Sequence, residues 1–104
     1  QYLMYYLYEG ADGLSLFKIK HDELKLVKHF EFDKPDDAVL HMNTQKTPAL
    51  KKLMKEFKSH SSATLMVQTK DICKLVKKQF DFEPLIDPEK TLLLNKQIQN
   101  LFPQ

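Results

Sequence analysis

Residues 2–32 read YLMYYLYEG-ADGLSLFKIK-HDELKLVKHF-EF, three apolar runs parted by two short polar breaks. Tyr2 to Tyr8 is nearly unbroken in aromatic and aliphatic residues, too short for a secure helix and rich in strand formers. The break Glu9-Gly10-Ala11-Asp12-Gly13 holds both glycines of the chain. Glycine enters positive φ at no steric cost, so a tight reversal between strands is expected there. Leu14 to Lys20 then alternates, with Leu14, Leu16 and Lys18 on one side and Ser15, Phe17 and Ile19 on the other. His21-Asp22-Glu23 makes a second turn. The third run is expected to set Leu24, Leu26, Phe30 and Phe32 on one face and Lys25, His29 and Glu31 opposite. Three strands joined by short turns make an antiparallel meander.

The pattern changes at Asp33-Lys34-Pro35. Proline suits the first turn of a helix, where its missing N–H would have been unpaired anyway, so a short helix is expected from Pro35 to about Asn43. Thr47-Pro48 repeats the signal for a stronger helix that buries Leu50, Leu53, Met54 and Phe57 and turns Lys51, Lys52, Lys55 and Lys58 outward. Ala63 to Gln68 reads as a buried strand. Thr69 is a suitable cap for a helix with Ile72, Leu75, Val76 and Phe80 inside. Leu85-Ile86 is a candidate last strand, and Asp87-Pro88-Glu89 opens a final helix ending at Pro103. The class is therefore α/β in the α+β sense: the meander is continued into one mixed sheet by a later strand, with helices packed on it.

At 104 residues the chain makes one domain, 1–104, and a chain of this size buries enough surface to need no staples. Its single cysteine, Cys73, excludes an internal disulfide. No apolar run nears the roughly 20 residues that cross a bilayer, and no signal-peptide pattern opens these residues. All 16 basic residues are lysine, which offers a mobile point charge in place of the planar fork that grips phosphates and guanine edges. Weak, unspecific attraction to nucleic acid is the most such a surface provides.

The constellations that carry catalysis are missing. His21, His29, His41 and His60 are scattered without metal-ligand spacing, and a zinc site needs about four convergent ligands. His60-Ser61-Ser62 sets a nucleophile beside a base only in sequence, with no glycine-flanked elbow. Neither glycine belongs to a phosphate-cradling loop. The tyrosine strand invites comparison with RNA platforms, but the partner motif of basic, glycine and aromatic residues is absent, and such a strand belongs more naturally to a core. The chain reads as a binding module without an active site, metal or cofactor. An RNA-binding domain using its lysine faces is the second reading, and a small enzyme the third.

Leu7-Tyr8-Glu9, a short loop, Gly13 and then Leu16-Phe17-Lys18 resemble the opening of the Nop-family N-terminal domain, from the core scaffold of box C/D ribonucleoproteins. Leu65 to Val76 is similar to that family's apolar strand, capping residue and helix, and Leu94 to Leu101 to its last helix before the coiled coil. The likeness spans nearly the whole chain, and the order and spacing of the pieces carry it. Thr69 stands where the family has aspartate and Cys73 replaces a glycine. Lys96, Gln97 and Gln99 replace an arginine-glycine-apolar-arginine stretch around Ile98, and the middle, Pro35 to Ser59, is shorter.

The resemblance implies a role in docking fibrillarin, the 2′-O-methyltransferase, for guided rRNA methylation and ribosome biogenesis. The coiled coil and the RNA-binding Nop domain, through which the guide RNA particle is reached, are not in these residues. The setting implied is the nucleolus within the nucleus, or the cytoplasm for an archaeal source. By this reading Lys70, Ile72 and Cys73 on one helix and Lys96, Gln97, Gln99 and Asn100 on the last form the protein-binding patch. The Glu9 to Gly13 turn with the adjoining meander is the fallback.

Overall fold

The computed structural model describes residues 3–21, 23–34, 37–38, 46–60, 63–85 and 87. They form β1 (Leu3–Glu9), β2 (Gly13–Lys20), β3 (Glu23–Glu31), α1 (Pro48–Lys58), β4 (Ala63–Val67) and α2 (Lys70–Phe80). One mixed sheet holds the four strands in the order β3-β2-β1-β4. The meander β1-β2-β3 is antiparallel, and β4 lies parallel to β1, with Leu3 opposite Ala63 and Leu7 opposite Val67. The expected fold class is the one observed.

The apolar run of β1 follows from its central position, flanked by β2 and β4 and covered on both faces. Tyr5 and Leu7 join Leu14, Leu16, Phe30, Leu65 and Val67 beneath Leu50, Leu53, Met54 and Phe57 of α1. Tyr6 and Tyr8 join Phe17, Ile19 and Leu24 beneath Ile72, Cys73 and Val76 of α2. Leu50 and Leu53 are fully buried, each contributing about 1.5–3 kcal/mol of hydrophobic stabilisation.

Both helices begin as their cap residues dictate. Thr47 Oγ1 accepts the Leu50 N–H at 3.3 Å with Pro48 behind it, and Thr69 Oγ1 accepts the Ile72 N–H at 3.2 Å. The lysines expected outside, Lys51, Lys52, Lys55 and Lys58 on α1 and Lys74, Lys77 and Lys78 on α2, are exposed. α2 stops at Asp81, whose φ of 59° is left-handed and whose N–H donates to the Lys77 carbonyl at 3.0 Å.

Three expectations are corrected. The third strand does not keep its even-numbered residues on one face. Leu16 stands opposite Lys28 and Phe17 opposite Leu26, so Val27 is an extra residue, a β-bulge that reverses the side-chain parity. Leu24 therefore packs under α2 while Phe30 packs under α1, and Leu26 is left 41% exposed. Neither glycine has positive φ. Gly13 is needed for a close approach: a Cβ there would sit 2.3 Å from the Phe30 carbonyl oxygen. Leu85 forms no strand but a bend, tied by its N–H to the Glu9 carbonyl at 2.9 Å, and Ile86 lies outside the described residues. The helices expected over Pro35–Asn43 and from Asp87 to Pro103 lie outside the described residues, save for Asp37, Ala38 and Asp87.

Candidate docking site

The α2 side of the sheet carries two concavities that meet at Glu83. The first is a groove of about 370 Å³ along the outer side of α2, lined by Lys70, Cys73, Lys74, Lys77, Lys78, Glu83 and Pro84. It contains two of the three helix residues expected at the interface. Lys70 is exposed at the helix start, and Cys73 is buried but reaches the groove floor. Ile72 does not share that surface: it is 3% exposed and packs inward against the sheet. Lys96, Gln97, Gln99 and Asn100 lie outside the described residues. Burial pushes the Cys73 thiol up to about 11, so at neutral pH it is a protonated, poorly nucleophilic group rather than a reactive thiolate.

Lys77 lines the groove and binds two carboxylates that line the second concavity. Its ammonium pairs with Glu83 at 2.6 Å and Asp81 at 2.9 Å. Hydrogen bonds that it donates to Glu83 and then to Asp81 hold its pKa above the ordinary lysine range, and the bond to Asp81 lowers that carboxyl.

The second concavity is a cleft of about 240 Å³ between the β1–β2 turn and the segment that follows α2. It is lined by Tyr8, the turn residues Gly10 to Gly13, Ser15, His29, Asp81, Phe82 and Glu83. A 2.7 Å hydrogen bond joins Ser15 Oγ and His29 Nδ1, and His29 Nε2 lies 3.7 Å from Asp12 Oδ1. Tyr8 is 1% exposed, and its hydroxyl has no hydrogen-bond partner. Burial, with Cys73 and Glu83 nearby, raises its pKa above the ordinary phenol range. Phe82 is 39% exposed and stacks on Phe80, with centroids 5.8 Å apart and planes inclined by 26°.

Serine, histidine and aspartate together suggest acyl transfer, but the geometry does not support it. The separation of 3.7 Å is too long for Asp12 to orient the imidazole by a hydrogen bond. Ser15 and His29 face each other in register within the β2–β3 ladder, so the hydroxyl lies within the sheet rather than on an exposed turn. Ser15 is 2% exposed. The pair serves to fix the imidazole at the cleft wall. Among the described residues no group of three or more histidine, cysteine or acidic side chains is placed to hold a metal ion, and no helix is long and apolar enough to cross a membrane.

Sequence reasoning reached this cleft only through the Glu9 to Gly13 turn and missed Tyr8, Ser15, His29 and Glu83 as its walls. Counting back from the Lys20–Glu23 turn in an unbroken ladder pairs Ser15 with Lys28. The bulge at Val27 puts His29 there instead. Only a sequence signal for that bulge would have found the pair.

Compared with family models, with curated proteins and with solved structures, the chain matches none.

Proposed function

We propose that the chain is the methyltransferase-docking module of a box C/D ribonucleoprotein scaffold protein, with catalysis supplied by a fibrillarin-like partner and none by the chain itself. It would serve guided rRNA methylation in the nucleolus, or in the cytoplasm of an archaeal cell. The observation that carries this reading is the order of the elements. Leu7-Tyr8-Glu9 ends β1, Gly13 to Lys18 begins β2, and Leu65 to Val76 comprises the end of β4, the Thr69 cap and the first turns of α2. These are two of the three stretches on which the Nop-family resemblance rests, and they belong to one sheet-and-helix unit; the third, Leu94 to Leu101, lies outside the described residues. A groove with a buried thiol at its floor and lysines at its rim suits a protein surface of mixed polarity.

Titration calorimetry against fibrillarin from the same source tests the reading. Binding at micromolar strength or tighter is expected. Lys70→Glu with Lys74→Glu should weaken it at least tenfold, about 1.4 kcal/mol, without lowering the melting temperature. An absence of binding by the unaltered chain refutes the reading.

The second reading, RNA binding, draws on the lysine faces, among them Lys28, Lys52 and Lys55 around one shallow groove beside Phe30. The tyrosine strand gives it no help. Tyr5 and Tyr8 are buried under opposite helices, so neither ring is open for a base to stack on. Filter binding near physiological salt separates the two readings, because lysine-only attraction is weak, unselective and salt-sensitive.

A further inference from the structure

We propose that the cleft between the β1–β2 turn and the segment after α2 receives an arginine side chain of the docked partner protein. The proposal rests on the reading of the chain as a protein-docking module and names what one of its contacts is. Three carboxylates line the cleft, Asp12, Asp81 and Glu83. Lys77 engages Asp81 Oδ1 and Glu83 Oε1, leaving the second oxygen of each carboxylate for another donor. Asp12 extends from the opposite wall with its side chain 78% exposed.

The acidic lining is joined by a separate observation, the hydroxyl of Tyr8. It is buried in the wall of the cleft without a hydrogen-bond partner, which natural structures rarely tolerate unless something else supplies one. A ligand with several N–H donors satisfies it as an acceptor. Phe82 then selects among cations. Its half-open ring, held by stacking on Phe80, offers a flat platform to a flat ion. Guanidinium is planar, lightly hydrated and carries five donors in a fixed fork, so it can stack on a ring while bridging carboxylates. An ammonium is compact and strongly hydrated and does this less well. No arginine occurs in the 104 residues, so the guanidinium comes from outside them.

The test is an NMR titration of the 104-residue chain with the peptide N-acetyl-Gly-Arg-Gly-amide, run beside versions carrying lysine and the neutral isostere citrulline. The arginine peptide is expected to give saturable shifts at Gly10, Gly13, Ser15, His29 and Phe82 at millimolar concentration. The lysine peptide should bind at least about fivefold more weakly and the citrulline peptide not at all. Asp12→Asn with Glu83→Gln should abolish saturation while the remaining amide spectrum is unchanged. Phe82→Leu, at an exposed position, provides a second variant and should also weaken the response. Absence of shifts, an equal response to citrulline or lysine, or variants that bind as the original chain does would each overturn the proposal. No partner protein is present in this titration, so its failure removes the cleft contact alone, whereas failure of the calorimetry with fibrillarin removes the docking reading.

Discussion

Tyr5 and Tyr8 lie on the same strand, both nearly inaccessible, yet their hydroxyls meet opposite fates. Tyr5 points under α1. Its ring meets Phe57 edge-on at 5.9 Å, and its hydroxyl lies 3.0 Å from His60 Nδ1. His60 Nε2 is 3.2 Å from the Glu56 carboxylate, which can only accept, so in the neutral ring Nδ1 is left to accept from the tyrosine. Every polar atom of that relay is used. Tyr8 points under α2, meets Phe17 edge-on at 6.0 Å, and its hydroxyl finds nothing. The α1 layer settles its buried hydroxyl and keeps its groove at the rim, beside Lys28 and Phe30, whereas the α2 layer keeps an unmet hydroxyl and a buried thiol beside its concavities. The two faces of one sheet thus differ in how far their buried polar groups are satisfied.

The largest test of that difference is Phe57→Ala, which should cost about 3–5 kcal/mol in urea denaturation. A loss below about 1 kcal/mol would mean that α1 is not the principal cover. Next comes alkali, which should act on the α2 side. The folded pKa of Cys73 is raised above its unfolded value, so the folded state holds its proton more tightly; stability is intact below about pH 9 and falls as pH rises toward about 11. The Cys73→Ala variant should escape about 2–3 kcal/mol of that loss when unfolding is compared at pH 8 and pH 11. Equal alkaline losses would show that the thiol is no better buried in the folded chain than in the unfolded one. The finest comparison sets Tyr5→Phe against Tyr8→Phe. Losing a made hydrogen bond should cost about 0.5–1.5 kcal/mol at Tyr5, while removing an unmatched hydroxyl at Tyr8 should be neutral or stabilise by up to about 1 kcal/mol. Equal costs at the two positions would break the contrast.

Much of this architecture was legible because its causes are local. Thr47-Pro48 and Thr69 announce their helices through side chains that reach only three residues along, and the central place of β1 is visible in a run with no polar face to spare. The α2 residues Ile72 and Val76 follow helical spacing into the core, so spacing alone should have kept Ile72 out of an interface. What was not legible depends on register. Period-2 alternation assumes an uninterrupted ladder, and one inserted residue at Val27 moves Phe30 to the α1 face and brings His29 to Ser15. The cleft is harder still, because Tyr8, Asp12, His29 and Glu83 come from four separate segments that only the folded chain assembles.

Val27 acts on β3 much as a single-base insertion acts on a message. On the turn-proximal side of it, even-numbered residues of the strand face α2; beyond it, they face α1. Flattening the bulge, so that Val27 takes the place opposite Leu16, would therefore exchange the residues shown on the two faces beyond it without altering the identity of any side chain. That shift would withdraw His29 from the cleft and place Lys28 opposite Ser15. In this fold, what the α2 face displays is set by register as well as by composition, and related chains can differ in the chemistry of that face through a single bulge that a comparison of residue types alone would pass over.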